Sequence, residues 1–387
     1  MATAEFRYVT TQIYQSGSTP NQILAELPFT DVSYTSQLNS VGTFQGSVLL
    51  SGFNTTNQNV YNGTVPGKTI LWVLYTDPYT FTSVPVWSGV IWAREYDSDS
   101  QTLSINAQEM MSLYSHRRIS TTKNYSNTFY DPAFIAYELM KYTEGVTQGK
   151  TGLTYNTATT TYATKKKYEG FELKSVYQAI KDLSASFFDF KIAPLVSGGN
   201  LINRFYIGQR NGALGVQYTT SNLLASVFQF PGNVIEYKFP EDATSAANKL
   251  YGLGYGANNT KVIAVAIDST KFAEGFTLLE DTASYTDVAD NQLLKDLTLG
   301  QLKATSYPPT TIEVVVAPYV DPIYPSYNIG DQVRLDIKDD YFPNGLNFGA
   351  NNDPLRIVAI SVAPGENGPA RVTLTLTREL SAGGSVT

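Results

Sequence analysis

Apolar and polar positions alternate in short runs near both ends of the chain, and segments with helical spacing lie between them. From Phe6 to about Ala107 the runs are brief. Gly46-Ser47-Val48-Leu49-Leu50 and Thr69-Ile70-Leu71-Trp72-Val73-Leu74 are typical, each bounded by Gly, Pro, Asn or Asp. Runs of this length with such punctuation predict β-strands. At Asp131 the period changes. Asp131 suits a cap, Pro132 the first helical position, and Ile135, Leu139 and Tyr142 follow at i, i+4 and i+7 before Gly145, so a helix is expected over 132–145. A second helix is expected from the stripe Leu173, Val176, Ile180, Leu183 and Phe187. It leads into a hairpin, Phe188 to Ala193 and Arg204 to Gly208, turning at Ser-Gly-Gly-Asn.

The β pattern returns from about Val216, with strands expected over Asn233–Phe239, Lys249–Gly254 and Val262–Ile267. One more helix, Val288 to Lys303 with Leu293, Leu294 and Leu297 inward, stops at Pro308-Pro309. Strands over Thr311–Ala317, Gln332–Ile337, Leu355–Val362 and Arg371–Thr377 complete the chain. The order β, then α+β, then β with a helical insert predicts a mainly β protein with α+β insertions.

The two β stretches look alike. "PGKTILWVL" at 66–74 and "NIGDQVRLDI" at 328–337 are both Gly-led turns feeding a strand. In each case a second strand follows after about the same interval, Val90-Ile91-Trp92 in one and Ile357-Val358-Ala359-Ile360 in the other. A polar turn comes next, Asp97 to Ser100 or Pro364 to Pro369, and then a strict alternation, Leu103 to Ala107 or Val372 to Leu376. An internal duplication of one β design is the expectation.

Composition narrows the functions open to such a fold. The 387 residues exceed one ordinary domain. Apolar residues make up 42% and charged residues 16%, so Ser, Thr, Asn, Gln and Tyr must keep the surface soluble, a balance that suits β structure. With 27 Tyr and 19 Phe the chain has ample area to bury and does not read as disordered. A net charge of −7 argues against a protein that binds nucleic acid by neutralising phosphates. The basic run Lys165, Lys166, Lys167 reads as a solvated loop. There is no Cys, which removes disulfides, thiolate nucleophiles and thiolate metal sites. The N-terminal MATAEFRYVTTQIY has no secretory pattern, and no apolar run approaches the roughly 18 residues of a membrane span. Synthesis in the cytoplasm with no stable membrane binding is therefore expected. The sequons at Asn54, Asn62, Asn124 and Asn258 are of the number that an Asn- and Thr-rich chain produces by chance.

Residues 87–106, "WSGVIWAREYDSDSQTLSIN", concentrate the candidate chemistry. With a period of two, Val90, Trp92 and Arg94 share one face and Ile91, Ala93 and Glu95 the other, so both faces start apolar and end polar. Packing of Trp87 and Trp92 under neighbouring segments is the expectation, and a sugar platform is the alternative. Paired carboxylates could serve glycoside hydrolysis: Glu95 with Asp97 or Asp99, and Asp336 with Asp339 and Asp340. Acids at hairpin ends are also common turn formers. The loop 339–353, "DDYFPNGLNFGANND", has oxygens that suit Ca²⁺ in a spacing that fits no EF-hand. The single His, His116, sits beside two arginines in "LYSHRRIS", a poor setting for a general base. No nucleophile elbow, HExxH or P-loop occurs. The glycines of "YGLGYGANN" at 251–259 lack the following helix of a phosphate cradle and are expected to shape a strand end. No catalytic, cofactor or metal residue is assigned, and the chain is expected not to be an enzyme.

The sequence of "WSGVIWAREYDSDSQTLSINAQE", then "LKSVYQAIKDLSASFFDFKIAP", then "YNIGDQVRLDI" and "LRIVAISV" resembles the baseplate hub or tail-tip hub proteins of long-tailed bacteriophages, often called minor tail proteins. The resemblance covers nearly the whole chain. It implies a first hub β-barrel over 1–115, an α+β middle domain over 116–215, and a second similar β-barrel over 216–380. A small helix-containing insert would occupy about 270–308, and a flexible tail 381–387. It further implies a homotrimer forming a ring at the siphophage tail tip, which closes the tail tube and joins a sixfold tube to a threefold tip. Implied partners are a distal tail protein or tail tube ring, the C-terminus of the tape measure protein, other tail-tip or central fibre proteins, and DNA as transient cargo. The implied location is the virion. Many relatives continue into a peptidase or lysozyme domain; here about ten residues follow the last expected strand, so no lytic role is expected. The alternative function is a receptor-binding, or a glycan-binding and depolymerising, tail protein.

Overall fold

The computed structural model describes residues 5–13, 22–51, 60–77, 80, 82–157, 159–184, 187–209, 214, 226–286, 288–305, 311–349, 355–365, 370–378 and 385–386. It is mainly β, with large antiparallel sheets and short helices. The first half holds strands β1 (Glu5–Gln12), β2 (Ile23–Glu26), β3 (Thr30–Gln37) and β4 (Thr43–Leu49), then a single helical turn α1 (Val60–Gly63). Strands β5 (Thr69–Thr76), β6 (Ser83–Asp97), β7 (Thr102–Glu109) and β8 (Lys123–Tyr130) precede helix α2 (Pro132–Glu144). Next come β9 (Thr154–Thr157), β10 (Thr164–Tyr168), helix α3 (Val176–Ser184), β11 (Phe188–Ser197) and β12 (Asn200–Gln209).

The second half continues with β13 (Val227–Phe230), β14 (Val234–Lys238), β15 (Lys249–Leu253) and β16 (Ile263–Ile267). Helix α4 (Ser269–Ala273), β17 (Glu280–Ser284) and helix α5 (Asn291–Thr305) form the insert. The chain closes with β18 (Thr311–Val316), β19 (Gln332–Ile337), β20 (Leu346–Phe348), β21 (Leu355–Ala363), β22 (Arg371–Arg378) and β23 (Ser385–Val386).

Local chemistry accounts for the helix limits. α2 begins where the Asp131 side chain accepts from the Ala133 N–H at 2.8 Å, and it buries Ile135, Ala136, Leu139 and Met140. α3 starts three residues later than the apolar stripe suggests. Leu173 ends a 3₁₀ turn in the left-handed region at φ 48° and is exposed, while Ser175 Oγ accepts from the Gln178 N–H at 3.1 Å. Val176, Ala179, Ile180 and Leu183 then make its buried face. α5 is capped by Asp290, whose side chain accepts from the Leu293 N–H at 2.7 Å, and it buries Leu294, Thr298 and Leu302, with Leu293 and Leu297 half-buried. The hairpin of β11 and β12 turns on Gly198 and Gly199, at φ 58° and 79°, conformations that a two-residue turn requires and glycine supplies. The prolines at 308 and 309 lie outside the described residues.

By mutual contact the chain falls into two units. The first comprises residues 1–217, 315–331 and 358–374. It therefore holds both the first β stretch and the α+β stretch. Its main sheet runs β3-β4-β7-β6-β5-β1-β2, with Ala359–Val362 of β21 pairing antiparallel with Gln37–Tyr34 of β3. One aromatic core packs Trp87 against Phe44 at 5.6 Å, with Tyr8 and Phe29 edge-on at 5.4 Å. A second core joins Trp72, Met110, Tyr114, α2, α3 and the hairpin residues Phe188, Phe190 and Phe205. Within this unit Asn39 ties the turn after β3 to β11, donating to Asp189 at 2.6 Å and accepting from the Phe190 N–H at 2.7 Å.

The second unit comprises 218–314, 332–357 and 375–387. Its four-stranded sheet has the order β17-β15-β16-β23, covered by α5. Gly252 allows this closeness, since a Cβ there would stand 1.8 Å from Thr298 Oγ1. The glycines of 251–259 thus shape a strand that a helix crosses closely. The segment 381–387, expected to be a flexible tail, is partly structured: Ser385 and Val386 pair with Ile267 and Ala266, continuing the β16 edge.

The duplicated pattern has a counterpart in strand neighbours. β5 pairs antiparallel with β6, and β6 with β7. Likewise β19 pairs antiparallel with β21, at Gln332↔Arg356 and Val333↔Leu355, and β21 neighbours β22. The second set differs by β20, which pairs with β19 inside the longer connection, and by β13, which pairs parallel with β19 where β1 pairs antiparallel with β5.

Candidate interaction surfaces

The hairpin of β6 and β7 is built around its tryptophans. Trp87 is 1% exposed and its indole N–H donates to the Thr35 carbonyl at 2.9 Å. Such a ring cannot stack on a sugar. Trp92 sits at a β-bulge: Ile91 pairs with Ala107 and Ala93 with Asn106, so Trp92 is the extra residue. The simple two-residue alternation expected here is therefore broken, and the faces exchange after Ile91. Trp92 is half-buried, donates to Ser112 Oγ at 2.8 Å, and lies against the exposed His116 ring at 4.7 Å, the two planes tilted by 31°. His116 caps the short 3₁₀ turn Met110–Ser115.

The candidate acids serve turns. Asp97 accepts from the Asp99 N–H and from Ser100 Oγ, both at 2.9 Å, and these bonds hold its carboxyl below the usual carboxylate range. Asp339 accepts from the Tyr237 hydroxyl and from the N–H groups of Phe342 and Tyr341, which lower its carboxyl in that order. Asp336 accepts from Arg334 at 3.0 Å and from Gln229 at 3.4 Å. Among the described residues no group of three His, Asp or Glu side chains could hold a metal ion, and residues 350–353 of the candidate Ca²⁺ loop lie outside them. Of the sequons, Asn54 lies outside the described residues, while Asn62, Asn124 and Asn258 fall in α1, β8 and a 3₁₀ turn.

The basic run is not a loop. Lys165, Lys166 and Lys167 form the middle of β10, which pairs antiparallel with β8 through Lys166↔Tyr125, Lys167↔Asn124 and Tyr168↔Lys123. All three are exposed, as expected of a solvated face, while Thr164 and Tyr168 at the strand ends are buried. Aromatic rings surround this ribbon. Lys165 stands 4.8 Å from the Phe129 ring and Lys123 4.1 Å from the Tyr142 ring; Tyr130 stacks on Phe134 at 6.1 Å.

One site was invisible in the sequence. A half-open cavity of about 250 Å³ in the first unit is lined by Tyr34, Glu109, Lys191, Tyr324, Tyr327 and Asn328, with Pro85, Pro194 and Pro325 among its apolar walls. Glu109 accepts from the Gly42 N–H at 2.7 Å, and burial pushes its carboxyl up to about 7 against the opposing effects of hydrogen bonds from Ser36, Gly42 and Gln37 and of the Lys191 charge. Lys191 donates to the Ile329 carbonyl at 2.7 Å, and the Tyr34 and Tyr324 hydroxyls share a hydrogen bond at 3.0 Å. No residue spacing announces this cluster, because its members come from six separate segments.

No family model matches the chain, and no curated protein matches its sequence. Solved structures do match over almost the full length. A tail protein from Neisseria meningitidis superposes with a TM-score of 0.60 at 11% identity, covering 97% of this chain and 98% of that one. The 43 kDa tail protein of prophage MuSo2 from Shewanella oneidensis gives 0.61 at 10% identity, with 96% and 98% covered. The prophage tail protein gp18 from Listeria monocytogenes gives 0.57 at 13% identity, with 95% and 94% covered. The chain has the fold of bacteriophage tail proteins. Among the described residues no helix is long and apolar enough to cross a membrane.

Proposed function

We propose that the chain is a structural hub of a siphophage tail tip, in which three copies form a ring that closes the tail tube. The observation that supports this reading most strongly is the full-length match to phage tail proteins, in which both chains are covered almost completely. Two like β regions per chain, near 1–115 and 216–380 around an α+β middle region, would let three subunits present six similar barrels to a sixfold tube. The shared neighbour order of β5-β6-β7 and β19-β21-β22 favours it. In this role the ring sits in the virion between the distal tail protein or tube ring and the central fibre proteins. It receives the tape measure C-terminus and passes DNA through its lumen as transient cargo. A lumen for DNA needs a neutral or acidic lining, because a basic one would hold phosphates by counterion release. A structural role without catalysis is part of this proposal, and the engagement of Asp97 and Asp339 in turns and the burial of Trp87 support it.

Sedimentation and electron microscopy of the purified chain test the proposal. Threefold rings are the expected result, and a particle that stays monomeric or closes with another number of subunits would overturn it.

A further inference from the structure

Among the described residues, two strand edges in the first unit have no strand partner and carry opposite charge. β10 pairs with β8 alone among the described residues, and its exposed residues are Lys165, Lys166 and Lys167, the last of which also pairs with Glu169 at 2.6 Å. The segment around it is basic against the trend of the chain. Residues 116–184 carry ten Lys and Arg against six Asp and Glu, within a chain of net charge −7.

The second open edge belongs to β6. The Gly67 N–H donates to the Ile91 carbonyl at 2.8 Å and closes that side of the strand as far as Ile91. From Ala93 to Asp97, β6 pairs only with β7 among the described residues, because the β5 pairing ends at Val90. Glu95 and Asp97 are exposed there, and Asp99 is exposed in the turn beyond. Arg94 does not neutralise them. Its guanidinium donates to the Tyr61 carbonyl and to Thr64 Oγ1 and lies 4.4 Å over the Tyr61 ring.

Open edges are hazards that charge usually controls. Three lysines forbid β10 from pairing with the same strand of a second copy, and the acids forbid the β6 edge from pairing with itself. Opposite charges directly across a strand pair are favourable, so the sign pattern leaves one combination open. That combination joins two different patches, and contacts between unlike patches run head to tail, giving a ring where the rotation between subunits closes and a filament where it does not.

We propose that the lysine edge of β10 in one copy docks on the acidic edge and turn of β6, Glu95 to Asp99, in a second copy of this chain. This rests on the ring reading above and names the surface that would build it. The test measures the mass of the full chain by light scattering at low and high salt. Two charge reversals, Lys165→Glu/Lys166→Glu/Lys167→Glu and Glu95→Lys/Asp99→Lys, are compared with a chain carrying all five; Asp97 is spared because it holds the turn. Circular dichroism and melting temperature establish that each variant is folded, and Lys165→Gln/Lys166→Gln/Lys167→Gln replaces the first if it is not.

Each reversal alone is expected to weaken assembly at least tenfold, and the chain with both signs exchanged is expected to assemble again. Wild-type assembly should also weaken in high salt. If the wild type forms rings and a folded reversal forms them equally well, or if the exchanged chain is not rescued, the docking is wrong while the hub reading stands. Loss of binding to duplex DNA or to anionic vesicles in the triple lysine variant, with assembly unchanged, would also overturn it. A wild type monomeric at every concentration overturns both.

Discussion

Replacing Glu109 by glutamine should flatten the pH dependence of stability between pH 5 and 8. Glu109 closes the end of β7, is half-buried against the cavity, and has its carboxyl raised from 4.5 to about 7, chiefly by desolvation. A raised carboxyl means that the folded state holds the proton more tightly than the unfolded chain. Its stabilising share is fully present below 4.5 and is lost as pH rises through 7. At about 1.4 kcal/mol per pH unit, the interval is worth about 3 kcal/mol. For a unit or chain of this size that corresponds to a melting shift of about 4 to 6 °C. The assay is the melting temperature of wild type and Glu109→Gln from pH 5 to 8, followed by circular dichroism. Wild type should lose several degrees more than the variant as pH rises. Equal slopes for the two proteins would refute the burial argument.

Three further outcomes follow from local geometry. Asp131→Ala removes the α2 cap and the bonds from the Thr160 N–H and hydroxyl, each at 2.8 Å, and should cost about 1 to 2 kcal/mol in denaturant unfolding. A melting point within error of wild type would contradict that role. Gly42→Ala would place a Cβ 1.9 Å from the Thr35 carbonyl oxygen and 2.9 Å from the Glu109 carboxyl carbon, so a loss of about 2 kcal/mol or more is expected, read by the same unfolding curve. The purified chain should release no reducing sugar from cell-wall or capsular glycans; release that disappears in Glu95→Gln or Asp97→Asn would show that the turn acids catalyse.

Much of the architecture was legible where chemistry is local. α2 could be placed because a cap, a first-position proline, an apolar stripe and a terminal glycine all lie within fifteen residues of one another. The hairpin of β11 and β12 could be placed because two adjacent glycines fix its turn. Errors arose where backbone conformation or distant pairing decides. Leu173 matches the α3 stripe by spacing, yet its left-handed φ ends the preceding turn. Three consecutive lysines carry no alternation, so β10 looked like a loop, although Tyr168 and Thr164 anchor both its ends. Trp92 breaks the period through a bulge that depends on its register with β7. The pairing of β21 with β3 joins residues more than three hundred positions apart, and Glu109 owes its environment to Ser36, Gln37, Gly42 and Lys191, none of them near it in the chain. Neither leaves a trace in local spacing.

If three copies of this chain build one ring, as proposed, electron microscopy of the purified protein will count them. Closed particles of threefold symmetry are expected, with six like β lobes on the outer wall around a lumen with no crowding of Lys or Arg. Particles with another subunit number, two β regions of different strand order, or a channel lined by basic side chains would contradict it.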